Sequence, residues 1–145
     1  MLMTQACLPY LQKSSKRQQG GSVIFISSTR AFMSEADNEP YSATKAGLLG
    51  LSQSMAVSLA PEGVRTNAIL PGWIHVANEC QEGDEKGMKW EEGLTDEDQR
   101  WHLCGRVGKV EDVLKVVEFL ADGEFMTGAE VVVDGGITRK MVYPE

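Results

Sequence analysis

The sequence predicts an α/β fold built on a parallel sheet, and three observations carry that expectation. The run Val23-Ile24-Phe25-Ile26 is strand-sized and apolar without alternation. Between it and a second strand pattern, Val64 to Leu70, apolar residues from Tyr41 to Ala60 recur at helical spacing. A further amphipathic stretch, Val110 to Leu120, precedes a third short run, Val131-Val132-Val133. Strand, helix, strand, insertion, helix, strand is the order of a parallel sheet with right-handed crossovers.

Each element has a local reason. Met1 to about Lys13 is apolar without an N-cap and is interrupted by Pro9, so it reads as the tail of a helix that begins earlier. Gly20-Gly21 turns the chain into the first strand, whose unbroken apolar character suits burial on both faces. The long helix places Ala43, Ala46, Leu48, Leu49, Leu51, Met55, Ala56 and Leu59 at helical intervals, and Pro61 with Gly63 ends it. Pro71-Gly72 breaks the second strand. An acidic insertion follows, in which Thr95 and Asp98 have the capping-box spacing that starts a short helix. Glu111 and Asp112 stand in the first turn of the next helix, where negative charge suits the dipole. After Gly128 the third strand runs to Asp134-Gly135-Gly136, read as turn geometry. No repeat, low-complexity tract or second domain interrupts residues 1–145, which read as one domain with an insertion at 75–104.

Composition narrows the function classes. With 42% hydrophobic and 24% charged residues the chain can build a core. A net charge of −7 argues against a nucleic-acid partner, since the one basic cluster is Lys13-Lys16-Arg17. Cys7, Cys80 and Cys104 lack metal-ligand spacing and their odd number fits a reducing, cytoplasmic setting. No apolar stretch has the length to span a bilayer, so no membrane association is expected. His75 and His102 stand apart and read as surface or locally hydrogen-bonded residues, and the acidic cluster from Glu79 to Asp98 reads as a solvated face; no metal site is expected.

The chemistry concentrates elsewhere. Ser28 closes the first strand, and Tyr41 and Lys45 stand four apart on one helix face. Taken singly, Tyr41 would be a packing residue, Lys45 a solvated lysine and Ser28 an ordinary strand-end hydroxyl. Together they match what carbonyl reduction needs. Moving hydride to or from a carbon bearing oxygen requires a proton to travel to or from that oxygen, and a phenol with a pKa near 10 needs help to do it at neutral pH. An ammonium about 5 Å away stabilises a phenolate by roughly 3 kcal/mol at an effective dielectric of about 20. A hydroxyl that hydrogen-bonds the substrate oxygen completes the set.

The stretches Gly21-Ser22-Val23-Ile24-Phe25-Ile26-Ser27-Ser28, Pro40-Tyr41-Ser42-Ala43-Thr44-Lys45-Ala46-Gly47 and Val64 to Ile74 resemble the second half of the short-chain dehydrogenase/reductase family. So do Gly105-Arg106-Val107-Gly108 with Glu111-Asp112, and Thr127-Gly128 with Val133 to Gly136. The resemblance implies a partial Rossmann-like, doubly wound parallel sheet, comprising the last three of the family's seven strands. It implies NAD(P)-dependent oxidation of a secondary alcohol or reduction of a carbonyl, with Tyr41 as acid/base, Lys45 as its electrostatic partner and Ser28 as oxyanion donor. NAD or NADP would contact Ile26, Ser27, Tyr41, Lys45, Pro71, Gly72, Trp73 and Ile74, with Lys45 on the nicotinamide ribose. The small-molecule alcohol or carbonyl would meet Ser28, Tyr41 and Trp73, and residues 75–104 would form the substrate loop, with Trp90 or Met88 covering the ligand. A homo-oligomer, or pairing through the 41–60 helix, is implied as well.

The resemblance has gaps. No Gly-x-x-x-Gly-x-Gly turn follows a strand here, and Val76 stands where the family usually has a threonine on the cofactor. The expectation is a truncated domain in which the strand at Val23 to Ile26 has an unpaired edge, with marginal stability and poor binding of nicotinamide cofactor by the isolated chain. A non-catalytic chain that pairs with a full-length family subunit is the alternative.

Overall fold

A computed structural model describes residues 2–15 and 18–141. Lys16 and Arg17 of the basic cluster, and Met1, lie outside the described residues. The elements are α1 (Leu2–Leu11), β1 (Ser22–Ile26), α2 (Glu39–Ser58), β2 (Arg65–Pro71), α3 (Gln81–Lys86), α4 (Asp96–Trp101), α5 (Val110–Asp122) and β3 (Glu130–Val133), with one-turn 3-10 helices at Thr29–Ala31, Ala60–Glu62 and Ile137–Arg139. The three strands form one parallel sheet in the order β1-β2-β3, with Ile24 opposite Asn67 and Leu70 opposite Val132.

The central strand is the core. Ala68, Ile69 and Leu70 are fully buried, and Leu120 of α5 and Val107 bury with them. Each of the larger aliphatic side chains, alanine apart, contributes about 1.5–3 kcal/mol when removed from water. The burial on both faces expected of β1 is not met, since β1 is half-buried and its Ile26 is 44% exposed, while β2 is the strand buried along almost its whole length. The reason is its position. β1 is an edge of the three-stranded sheet, paired only to β2.

Polar side chains lock the layers. Arg65, buried at the start of β2, donates from Nη1 to Leu120 O (2.7 Å) and from Nη2 to Ala121 O (2.8 Å), so a cation satisfies carbonyls at the C-terminus of α5. Ser22 Oγ donates to the same Leu120 O at 3.0 Å. Asn67 donates to Met126 O (2.9 Å) and accepts from Ala129 N (3.0 Å), pinning the entry to β3. Ser22 at the start of β1 reaches α5, while Ser27, one residue past the end of β1 and still paired through its N–H to Ile69 O, reaches Lys45 O on α2 at 2.8 Å. Side chains an odd number of positions apart in a strand point to opposite faces. The sheet is thus covered by α2 on one face and α5 on the other, as doubly wound folds are. With strands in the order 1-2-3, helices on opposite faces require crossovers of opposite hand, so the expectation of two right-handed crossovers is corrected.

Two other expectations shift. Pro9 does not stop α1, which runs through it to Leu11; it sits in the final turn, where its missing N–H removes only one of the last bonds of the ladder. The acidic insertion carries α3 in addition to the expected α4, whose capping box forms with Thr95 Oγ1 accepting from Asp98 N and Asp98 Oδ2 accepting from Thr95 N.

Candidate active site

The site begins where β1 ends. Ser27 is buried and spends its hydroxyl on Lys45 O, tying the strand end to the second turn of α2. Ser28, 7% exposed, caps the 3-10 turn Thr29–Ala31, with Oγ accepting from Arg30 N at 3.2 Å. Because that bond uses an oxygen lone pair, the Ser28 O–H remains a donor.

Across from it, Pro40 occupies the first turn of α2, where its missing N–H costs nothing, and Tyr41 follows with 46% of its surface exposed. Lys45 folds back one turn onto Tyr41: its Nζ lies 5.4 Å from the ring centroid and donates to Ile26 O at 3.0 Å. That bond fixes the ammonium between the strand end and the phenol ring. Ser28 and Tyr41 line one open cleft of about 860 Å³, together with Gly72, Trp73 and Trp101.

Gly72 and Trp73 come from the C-terminal end of β2. Gly72 N bonds Val133 O at 2.9 Å, and a Cβ on Gly72 would lie 2.8 Å from Asp134 Cβ, so only glycine lets the ends of β2 and β3 approach this closely. Beyond β3, the Asp134 carboxylate accepts from Gly136 N (2.9 Å) and Thr138 N (2.8 Å). Burial pushes its pKa up, but the Thr138 and Gly136 N–H groups outweigh that and hold it below the ordinary carboxylate value. The expected turn is therefore a carboxylate-organised one, and it carries Ile137 to the cleft wall.

The other expected contacts lie around this edge. Pro71 ends β2, and Ile26 lies at the exposed end of β1. Ile74 bridges to Gly108 and lines a separate cavity of about 330 Å³ with Trp73, Arg106 and Asp134, not the cleft of Tyr41. In the insertion, Trp90 packs beneath Lys109 Nζ (4.2 Å to the ring centroid) and edge-on to His75, and neither Trp90 nor Met88 lines the cleft. Trp101 of α4 does so instead, tilted against Trp73 with ring centroids 6.3 Å apart and edge-on to buried His102 at 5.1 Å. His102 Nδ1 lies 3.0 Å from Asp98 O, in keeping with a locally hydrogen-bonded histidine. The signal for Trp101 was its place at the end of the short helix that the Thr95 cap starts. Arg30 and Glu35, an ion pair at 2.9 Å in the cleft wall, had no sequence signal beyond their proximity to Ser28.

Among the described residues no group of three or more His, Cys, Asp or Glu side chains could hold a metal ion, and no helix is long and apolar enough to cross a membrane. Cys7, Cys80 and Cys104 are free and exposed.

The arrangement matches a known family. A family model described as enoyl-(acyl carrier protein) reductase covers residues 1–138. The chain belongs to the short-chain dehydrogenase/reductase family. Among its relatives, an uncharacterized oxidoreductase of Thermotoga maritima is 44% identical over 142 residues, 96% of this chain and 54% of that protein. The L-rhamnose 1-dehydrogenase (NAD(P)(+)) of Azotobacter vinelandii is 38% identical, over 87% of this chain and 48% of that protein. An apo SCOR enzyme from Clostridium thermocellum superposes with a TM-score of 0.78 at 35% identity, covering 97% of this chain and 49% of that one. The chain thus spans about half the length of the family members it matches, and its three parallel strands with flanking helices are a Rossmann-like part of their fold.

Proposed function

We propose that the chain carries the catalytic half of a nicotinamide-dependent oxidoreductase that interconverts a secondary alcohol and a carbonyl. The single observation behind this reading is that Ser28 and Tyr41 share one cleft while the Lys45 ammonium lies 5.4 Å from the Tyr41 ring. In the reduction direction Tyr41 Oη gives its proton to the substrate oxygen, and in oxidation it takes one back. The free O–H of Ser28 donates to that same oxygen and holds it beside the phenol. Lys45, its ammonium 5.4 Å from the ring centroid, stabilises the phenolate that the proton transfer leaves behind. Trp73 covers the substrate side of the cleft.

The residues fit the nicotinamide end of NAD or NADP. Lys45 commits one of its three N–H donors to Ile26 O, leaving two for ribose hydroxyls, and the Gly72 backbone stands bare of a side chain at the strand edge. Bound there, the cofactor would supply the hydride. Ile26, Ser27, Pro71 and Trp73 stand at the strand ends, where ligands of open α/β sheets sit, with Ile74 beyond them in the neighbouring cavity. No Gly-rich pyrophosphate turn is among the residues of this sequence. Cofactor binding by this chain alone is therefore weak, and assays require it in the millimolar range. The test is oxidation of NADH or NADPH by the purified chain across a panel of ketones and aldehydes. Turnover that is lost in Tyr41→Phe supports the assignment; turnover equal in both proteins, or absent from both, overturns it.

A further inference from the structure

The cleft next to Ser28 and Tyr41 contains an ion pair that the proton chemistry does not use. Arg30 Nη2 lies 2.9 Å from Glu35 Oε1, and both side chains line the cleft, with 29% and 62% of their surfaces exposed. Arg30 is placed by the reacting serine itself, whose Oγ accepts the Arg30 backbone N–H at 3.2 Å. Asn38, the N-cap of α2, lines the same cleft and does not use its side chain to cap the helix, so its amide is available. The same cleft is lined by two tilted indoles, Trp73 and Trp101, with ring centroids 6.3 Å apart. Nothing in the acid/base step requires this pairing of charge with aromatic surface.

Three substrate chemistries can be weighed against it. An apolar ketone would cover Arg30 and Glu35 without offering either a hydrogen-bond partner, and desolvating polar groups without replacement disfavours binding. An anionic substrate would gain Arg30 but face the Glu35 carboxylate less than two side chains away, so attraction and repulsion cancel. A neutral polyhydroxylated ring meets both: adjacent hydroxyls donate to Glu35 and accept from Arg30 and Asn38, while the C–H faces of the ring lie on the indoles. We propose, resting on the oxidoreductase reading above, that the substrate is a neutral cyclic polyol or aldose, and that Arg30 and Glu35 are its specificity-determining pair. Glu35 excludes the acids that Arg30 alone would admit.

The experiment reads binding, which does not require turnover. D-glucose, D-galactose and D-mannose serve as neutral rings, D-glucuronate as the anionic counterpart and cyclohexanol as the hydroxyl-poor one, each titrated against intrinsic tryptophan fluorescence of the full chain. Glu35 is exposed and Arg30 partly buried, so retention of the fold by each variant is checked by an unchanged far-ultraviolet dichroism spectrum. At least one aldose is expected to bind more tightly than both glucuronate and cyclohexanol. Arg30→Ala should weaken that aldose at least tenfold; Glu35→Gln should weaken it and tighten glucuronate at least tenfold. Tighter binding of cyclohexanol or of glucuronate by the unmodified chain, no binding of any ring, or an aldose affinity indifferent to Arg30→Ala would each overturn the proposal. Aldose binding that obeys these variants without Tyr41-dependent turnover would instead leave the pair's specificity standing and remove the oxidoreductase reading.

Discussion

Lys45 reaches back one helical turn so that its ammonium lies 5.4 Å from the centre of the Tyr41 ring while donating to Ile26 O at 3.0 Å. One hydrogen bond thus ties the end of β1, the first turns of α2 and the phenol together. Replacement by methionine keeps the side-chain length and removes the charge. Lys45→Met is expected to lower kcat by about a hundredfold, the rate equivalent of roughly 3 kcal/mol. A steady-state comparison of the two proteins at millimolar cofactor checks it, and a loss below threefold would count against the electrostatic role.

Arg106 grips Asp112 through two hydrogen bonds of 2.7 and 2.8 Å, and Lys109 N adds a third at 2.8 Å at the start of α5. The Arg106 guanidinium is the main reason the Asp112 carboxyl titrates at about 2, against the opposing effect of burial. A carboxyl whose pKa is depressed on folding stabilises the fold above its unfolded value, near 3.9, and loses that contribution as pH falls toward its folded value. The pair is partly solvent-screened, so the contribution is about 1 kcal/mol. Urea denaturation at pH 6 and pH 2 should show a stability loss that is smaller by about this amount in Asp112→Asn. Equal losses would show the pair to be energetically silent.

Arg65 gives a larger effect because it is buried. Removing its two bonds takes the guanidinium from Ala121 O and leaves Leu120 O with Ser22 Oγ alone. Arg65→Met is expected to cost about 2 kcal/mol. Arg65→Lys should recover less than half, since one ammonium cannot match the planar fork. Chemical denaturation measures both, and full recovery by lysine would reduce the contact to charge alone.

Gly72 tests how closely β2 and β3 must approach at the cleft. A methyl group there would meet Asp134 Cβ at 2.8 Å and Asp134 Cα at 2.9 Å. Gly72→Ala should destabilise by about 1–3 kcal/mol and reduce turnover through the displaced neighbour Trp73. An alanine variant of unchanged stability would mean that the strand ends part without penalty.

Much of this architecture was readable from local chemistry. The Thr95–Asp98 spacing marked α4, the period of Val110, Val113, Leu114, Val117 and Leu120 marked α5, and the four-residue interval brought Lys45 onto Tyr41. What escaped depends on tertiary placement. α3 has no apolar period, since its residues are polar or glycine and, apart from buried Gly83, solvent-facing. The face that α5 covers is set by Arg65 and Ser22 reaching its last carbonyls, a contact across the fold that hydrophobic pattern does not encode. Trp90 and Trp101 are equivalent in sequence, both tryptophans in one acidic insertion; the capping of α4 and the Lys109 contact send them to different sides, and Trp101 alone meets the cleft. The half-covered state of β1 follows from which strands pair with it, not from its composition.

The central claim is that Tyr41 and Lys45 act as one proton-handling unit, and a double-variant comparison of kcat addresses it most directly. Tyr41→Phe alone should lower kcat by about 10²–10⁴. Adding Lys45→Met to Tyr41→Phe should then change it by less than about threefold, because the ammonium has no phenolate left to stabilise. A full further hundredfold loss in the double variant, or a Tyr41→Phe chain as fast as the unmodified one, would contradict it.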